Sequence, residues 1–141
     1  MFKKFLKKKE NESPNNKNIL IIALLIHAAK IDENYTENEK KIIKKVIMDL
    51  NEISQDEATE ILKLAEKKEE ESNQIVEFTR EIKKYSMEFR LKIIEIIWKI
   101  VYSDGASDDY ESNLIRRICG LLYISGKDNG IIKTKVQNLS K

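Results

Sequence analysis

Two stretches of this 141-residue chain lie on one another at a single offset with no gap. Asp32 and Asp104 are 72 positions apart (104 minus 32), and so are Glu39 and Glu111 (111 minus 39). The same offset pairs Leu25 with Ile97, Ile43 with Ile115, Val46 with Ile118 and Leu50 with Leu122, and sets Lys44-Lys45 against Arg116-Arg117. Apolar matches alone arise readily between helices, but an acidic pair and a basic doublet in the same register do not. A repeat of this kind restricts the fold more than local propensity does, because both copies must bury the same faces. Two such units packed through their apolar helices form one bundle with pseudo-twofold symmetry.

Periodicity says what each unit contains. A helix is expected from about Asn18 to Ile31, apolar on nearly every side and so destined for the middle of a bundle. Thr36 with Glu39 forms a capping box that opens a second helix, whose buried stripe is Ile42, Ile43, Val46, Ile47 and Leu50. Ser54 with Glu57 repeats the signature before a third helix carrying Ile61, Leu62 and Ala65, which runs out into the solvated charge run KKEEES. A fourth helix is expected over about Asn73 to Lys84, with Ile75, Val76, Thr79 and Ile82 inward. A fifth begins near Ser86 and is dense in apolar residues from Phe89 through Trp98 to Val101. Asp104-Gly105 stops it. Asp108 with Glu111 opens a sixth, carrying Leu114, Ile115, Ile118 and Leu122, and a seventh spans about Asp128 to Leu139. No segment alternates with a period of two. The expected fold class is therefore all-α, a single bundle of six to seven helices with an internal duplication. Residues 1–17 are expected to be a flexible basic and polar tail, and 18–141 the domain.

Composition excludes several functions. The formal net charge of +2 gives no grounds for a nucleic-acid partner. One cysteine, Cys119, rules out an internal disulfide and a cysteine-based zinc cage, and its place in an apolar helical pattern gives it a packing role. The run Ile19–Ile26 is too short to span a bilayer. The preceding spacer KENESPNNKN, with Glu10 and Glu12, does not fit a signal peptide. A reducing compartment, the cytoplasm, follows as the expected location. His27, the single histidine, has no nucleophile pattern around it and is expected in the core, as is Trp98. No phosphate-cradling glycine loop or dinucleotide fingerprint is present. The chain is therefore not expected to be an enzyme.

Two features remain as candidate sites. Each loop places an aspartate at one helix end and a glutamate in the first turn of the next helix. Asp32, Glu39, Asp104 and Glu111, with Asp108 beside them, make a set of hard oxygen donors suited to Ca²⁺, Mg²⁺ or Mn²⁺. The same residues also fit plain helix capping and complement the helix dipoles, and both readings stand at this point. Neither loop is an EF-hand. Counted from Asp32 the sixth residue is Glu37 and the twelfth Ile43, and counted from Asp104 the twelfth is Ile115. The second feature is the start MFKKFLKKK. Phe2, Lys3, Lys4, Phe5, Lys7 and Lys8 suit weak contact with an anionic membrane surface, peripheral to its inner face, and suit a solubilising tail equally.

WKIVYSDGASDDYESNLIRRICGLLYIS resembles the second motif of the TerB-like family, the tellurite-resistance protein B-like proteins. HAAKIDENYTENEKKIIKKVI resembles its first, with Glu33 where the family usually has glycine. VEFTREIKKYSMEFRLKIIEIIWKI is similar to the same region of a small bacterial branch, and the likeness covers about residues 18–138. It implies an all-helical bundle, divalent-metal binding through acidic residues at these positions, and a stress-response setting. Related modules accompany membrane-associated J-domain co-chaperones, which implies the alternative of a protein-interaction module with an as yet unknown protein partner.

Overall fold

The structure, a computed structural model, describes residues 14–31, 35–72, 74–103 and 109–139, the side chains of 14–17 and 109–111 excepted. Among the described residues there are seven helices and no strand: α1 (Pro14–Ala29), α2 (Glu37–Asn51), α3 (Gln55–Glu71), α4 (Val76–Ile82), α5 (Met87–Tyr102), α6 (Asp109–Leu121) and α7 (Gly126–Leu139).

α1 starts at Pro14, ahead of the expected Asn18 and inside the segment expected to be tail. Proline suits the first helical position, where its missing N–H would have had no partner and its φ is already helical. Every residue from Ile21 to Ile26 is fully enclosed, because α2, α3, α4 and α5 pack around this helix. α5 is enclosed in the same way through Ile93, Ile94, Ile97, Ile100 and Val101, and it packs against α1. Removing each such side chain from water contributes about 1.5–3 kcal/mol. These two helices are the axis of the core.

The amphipathic helices begin where the caps place them. Thr36 N-caps α2 with a complete capping box, and Ile43, Val46, Ile47 and Leu50 are buried while Ile42 is half-buried. Ser54 caps α3 by accepting from the Glu57 N–H, and Ser86 caps α5 by accepting from the Phe89 N–H. α4 is shorter than expected. Ile75 stands at its N-cap and supplies no side-chain bond. Its anchor is Phe78, 1% exposed, which the apolar pattern had not singled out. α7 starts at Gly126 instead of Asp128, because the Ser125 hydroxyl accepts from the Asp128 N–H at 3.1 Å.

The duplication runs deeper than two helices per half. Ser54 before α3 and Ser125 before α7 are equivalent caps. Glu52 and Tyr123, just ahead of them, share a left-handed backbone (φ 51° and 59°). These pairs are 71 positions apart (125 minus 54, 123 minus 52), so the repeat shifts by one residue at the turn. Each unit is thus a three-helix set, α1–α2–α3 and α5–α6–α7, with α4 between them. The packing repeats too. α1 lies along α3 as α5 lies along α7, and α1 meets α6 as α2 meets α5.

Candidate functional site

The first acidic junction runs from the end of α1 into α2. Thr36, in extended conformation, turns its hydroxyl to accept from the Glu39 N–H at 3.1 Å, and its own N–H donates to Glu39 Oε1 at 2.7 Å. The box fixes the Glu39 carboxylate under the first turn of α2, where it is 1% exposed. Ser54 and Glu57 use the same sequence signature on α3, yet Glu57 is exposed. Enclosing a carboxylate this fully costs several kcal/mol unless charge or hydrogen bonds compensate it. Tyr35 completes the wall: burial, then the neighbouring Glu66 and Glu39 carboxylates, push its phenol well above the ordinary range. Lys40 lies 4.9 Å from the Tyr35 ring centroid.

Of the expected cation ligands, Glu39 is the one whose side chain is described. Asp32, Asp104 and Asp108 lie outside the described residues, and Glu111 lies in the first turn of α6 with its side chain outside the description. Among the described residues no three histidine, cysteine, aspartate or glutamate side chains gather into a metal-ligating group. Phe2, Lys3, Lys4, Phe5, Lys7 and Lys8 also lie outside the described residues. No helix among the described residues is long and apolar enough to cross a membrane.

Two other buried or half-buried carboxylates, Glu95 and Glu69, serve the fold. Glu95 on α5 accepts from Lys92 at 3.1 Å, Lys99 at 3.2 Å and, across the interface, Lys135 of α7 at 3.0 Å. Burial alone would raise its pKa, but the hydrogen bonds from Lys135, Lys92 and Lys99 outweigh that and hold it at about 2. Glu69, expected in a solvated charge run, is instead docked on α1. His27 Nδ1 lies 3.2 Å from one of its oxygens and Lys30 Nζ 2.9 Å from the other. Burial raises Glu69, and the bonds from Lys30 and His27 turn the balance to a lowered pKa. His27 is therefore not the core residue expected but an interhelical clasp, its side chain 34% exposed. α1 is enclosed along its middle, but at this point its flank reaches the rim of α3, where a polar ring finds both water and a carboxylate.

Trp98 is a core residue, as expected, and its indole N–H donates to the Asn129 side chain at 2.9 Å. Cys119 is buried, and burial pushes its thiol up to about 12, which removes it from thiolate chemistry at ordinary pH. A basic groove between α2 and α3, lined by Lys40, Lys41, Lys44 and Lys45, was not singled out from the sequence. Its signal was present as two lysine doublets four residues apart, which recur on one helix face.

A family model described as Tellurite resistance protein TerB matches residues 18–134. No curated protein and no solved structure matches the chain.

Proposed function

The chain belongs to the TerB family, and from that premise we propose that it is a non-catalytic helical module that binds a divalent cation through its acidic loops. In this reading it acts in a stress-response setting in the cytoplasm. The observation that carries the proposal is the enclosure of Glu39. Glu57 stands in the same sequence position on α3 and is exposed, whereas Glu39 is 1% exposed and held by the Thr36 N–H and hydroxyl, so a hard oxygen donor is fixed in place at the start of α2. The donor set fits a hard cation, since every candidate offers carboxylate oxygen. Asp32 and Glu39 in the first unit, with Asp104, Asp108 and Glu111 in the second, would hold Ca²⁺, Mg²⁺ or Mn²⁺ and supply no soft ligand. The cation would neutralise repelling carboxylates and tie the start of the second helix of each unit to the loop before it.

The test is thermal unfolding of chelator-treated protein titrated with each of the three ions at constant ionic strength. Binding to the folded state at one hundred times the dissociation constant adds about 2.7 kcal/mol, a rise of several degrees. That rise should disappear in Asp104→Asn and Glu111→Gln. No shift with any ion at millimolar concentration would sink the proposal.

One observation favours a second reading. The Thr36–Glu39 box is complete on both sides, so Glu39 already has a structural duty as a cap. If capping is the whole role of the acidic residues, the module serves protein interaction instead. Glu111→Gln then changes stability modestly and equally with and without metal.

A further inference from the structure

We propose that the basic groove between α2 and α3 docks an acidic protein segment that also carries an apolar anchor side chain. The groove encloses about 370 Å³. It is lined on α2 by Lys40, Lys41, Lys44 and Lys45, two by two one turn apart, with a single acidic residue, Glu37, and by Gln55 and the apolar Met48 and Leu62. Lys41 and Lys45 are exposed and Lys44 half-exposed. Of the four, Lys40 has a carboxylate partner, Glu37 at 3.5 Å, while Lys41, Lys44 and Lys45 make no ion pair among the described residues.

Lys40 contributes to the fold through Glu37 and the Tyr35 ring, but the arrangement as a whole sets like charges against one another. Lys40 with Lys44 and Lys41 with Lys45 are like charges at the four-residue spacing, which destabilises a helix. The duplication gives an internal comparison. At the matching positions of α6 the chain has Ser112, Asn113, Arg116 and Arg117, and Gly120 stands in the place of Met48 (each 72 further on). The scaffold is thus built equally well with half the charge and no apolar floor. What distinguishes the first unit is a concave strip of positive charge over an apolar base. Carboxylate side chains would meet the lysines, which are point charges with no bidentate geometry. One aliphatic side chain would fill the floor. The concavity fits an inserted segment better than the flat plane of a membrane.

The experiment is fluorescence anisotropy with a labelled peptide of three Glu-Glu-Leu-Glu repeats, in chelator throughout so that the result is independent of cation binding. Binding should saturate, weaken between about 50 and about 300 mM NaCl, and fall about tenfold or more in K41E/K45E while the melting temperature holds. R116E/R117E, equal in charge change and exposed on α6, should bind as the wild type does. An all-glutamate peptide of the same length should bind several-fold more weakly, because nothing fills the floor. Equal binding of the two peptides would overturn the apolar anchor. Absent or unsaturable binding, unchanged binding in K41E/K45E, or equal loss in R116E/R117E would overturn the site. Preference for phosphatidylserine vesicles over the peptide, lost in K41E/K45E, would assign the groove to a membrane and overturn the peptide occupant.

Discussion

Glu95 offers a quantitative test of how the second unit is clamped. Its side chain is 11% exposed and holds three lysines, of which Lys135 belongs to the other helix of the pair. Its pKa is about 2 in the folded chain against 4.5 for an ordinary glutamate. A difference of that size corresponds to at most ~3 kcal/mol. The three lysine side chains are 32%, 44% and 59% exposed, so solvent screening reduces the contribution to about 1–2 kcal/mol. The folded pKa is depressed, so this stability is fully present above the unfolded value of 4.5 and is lost as pH falls through about 2. Glu95→Gln keeps the shape and removes the charge. At pH 7 it should lower the unfolding free energy by about 1–2 kcal/mol and the melting temperature by about 3–6 °C. Urea unfolding followed by far-ultraviolet circular dichroism, repeated at steps from pH 7 downward, measures the gap between the two proteins. It should narrow once the pH drops below 4.5 and be nearly closed at about 2. A gap that stays constant across that window would refute the electrostatic account and assign the loss to packing.

Two further outcomes follow from buried polar groups. Cys119, its thiol pushed up to about 12 by burial, should not react with a disulfide reagent at mildly alkaline pH in the native protein, and should react stoichiometrically once the chain is unfolded in guanidinium. Stoichiometric reaction of the folded protein would contradict its enclosure. Asn129→Leu should strand the Trp98 indole N–H, 2.9 Å from its acceptor in the folded chain, and cost about 1–3 kcal/mol in urea unfolding monitored by Trp98 fluorescence. A loss below about 0.5 kcal/mol would show that another acceptor replaces it.

Much of the fold was legible in the chain because local chemistry marks helix starts. Thr36, Ser54 and Ser86 each cap the helix they were expected to open. The cap at Ser125 has the form of Ser54, a serine three residues before an acidic residue, and α7 therefore starts two residues ahead of the expected Asp128. α4 has no side-chain cap to mark its start, and it lies inside the expected span of about Asn73 to Lys84 at both ends. Its existence is owed to Ile75, Phe78 and Ile82 finding the core. The candidate site was legible only as residue types. Sequence gave the two acidic loops and the repeat that relates them, but it could not show that Glu39 is enclosed while Glu57, in the same motif, is exposed.

An all-α chain, duplicated and centred on two largely apolar helices, can be read from the residues in order. Those properties follow from periodicity, capping and register, which act over a few residues or are copied wholesale between the units. Which charged residues leave the solvent depends instead on how the helices pack. Glu69 meets His27 and Lys30 from a helix some forty residues away, and Glu95 meets Lys135 across a similar separation. Helix α3 brings Leu62 under the lysines of α2. A charge run reads alike in sequence whether it faces water or a neighbouring helix. Its environment is set by the helix packed beside it, and that is a property of the assembled bundle.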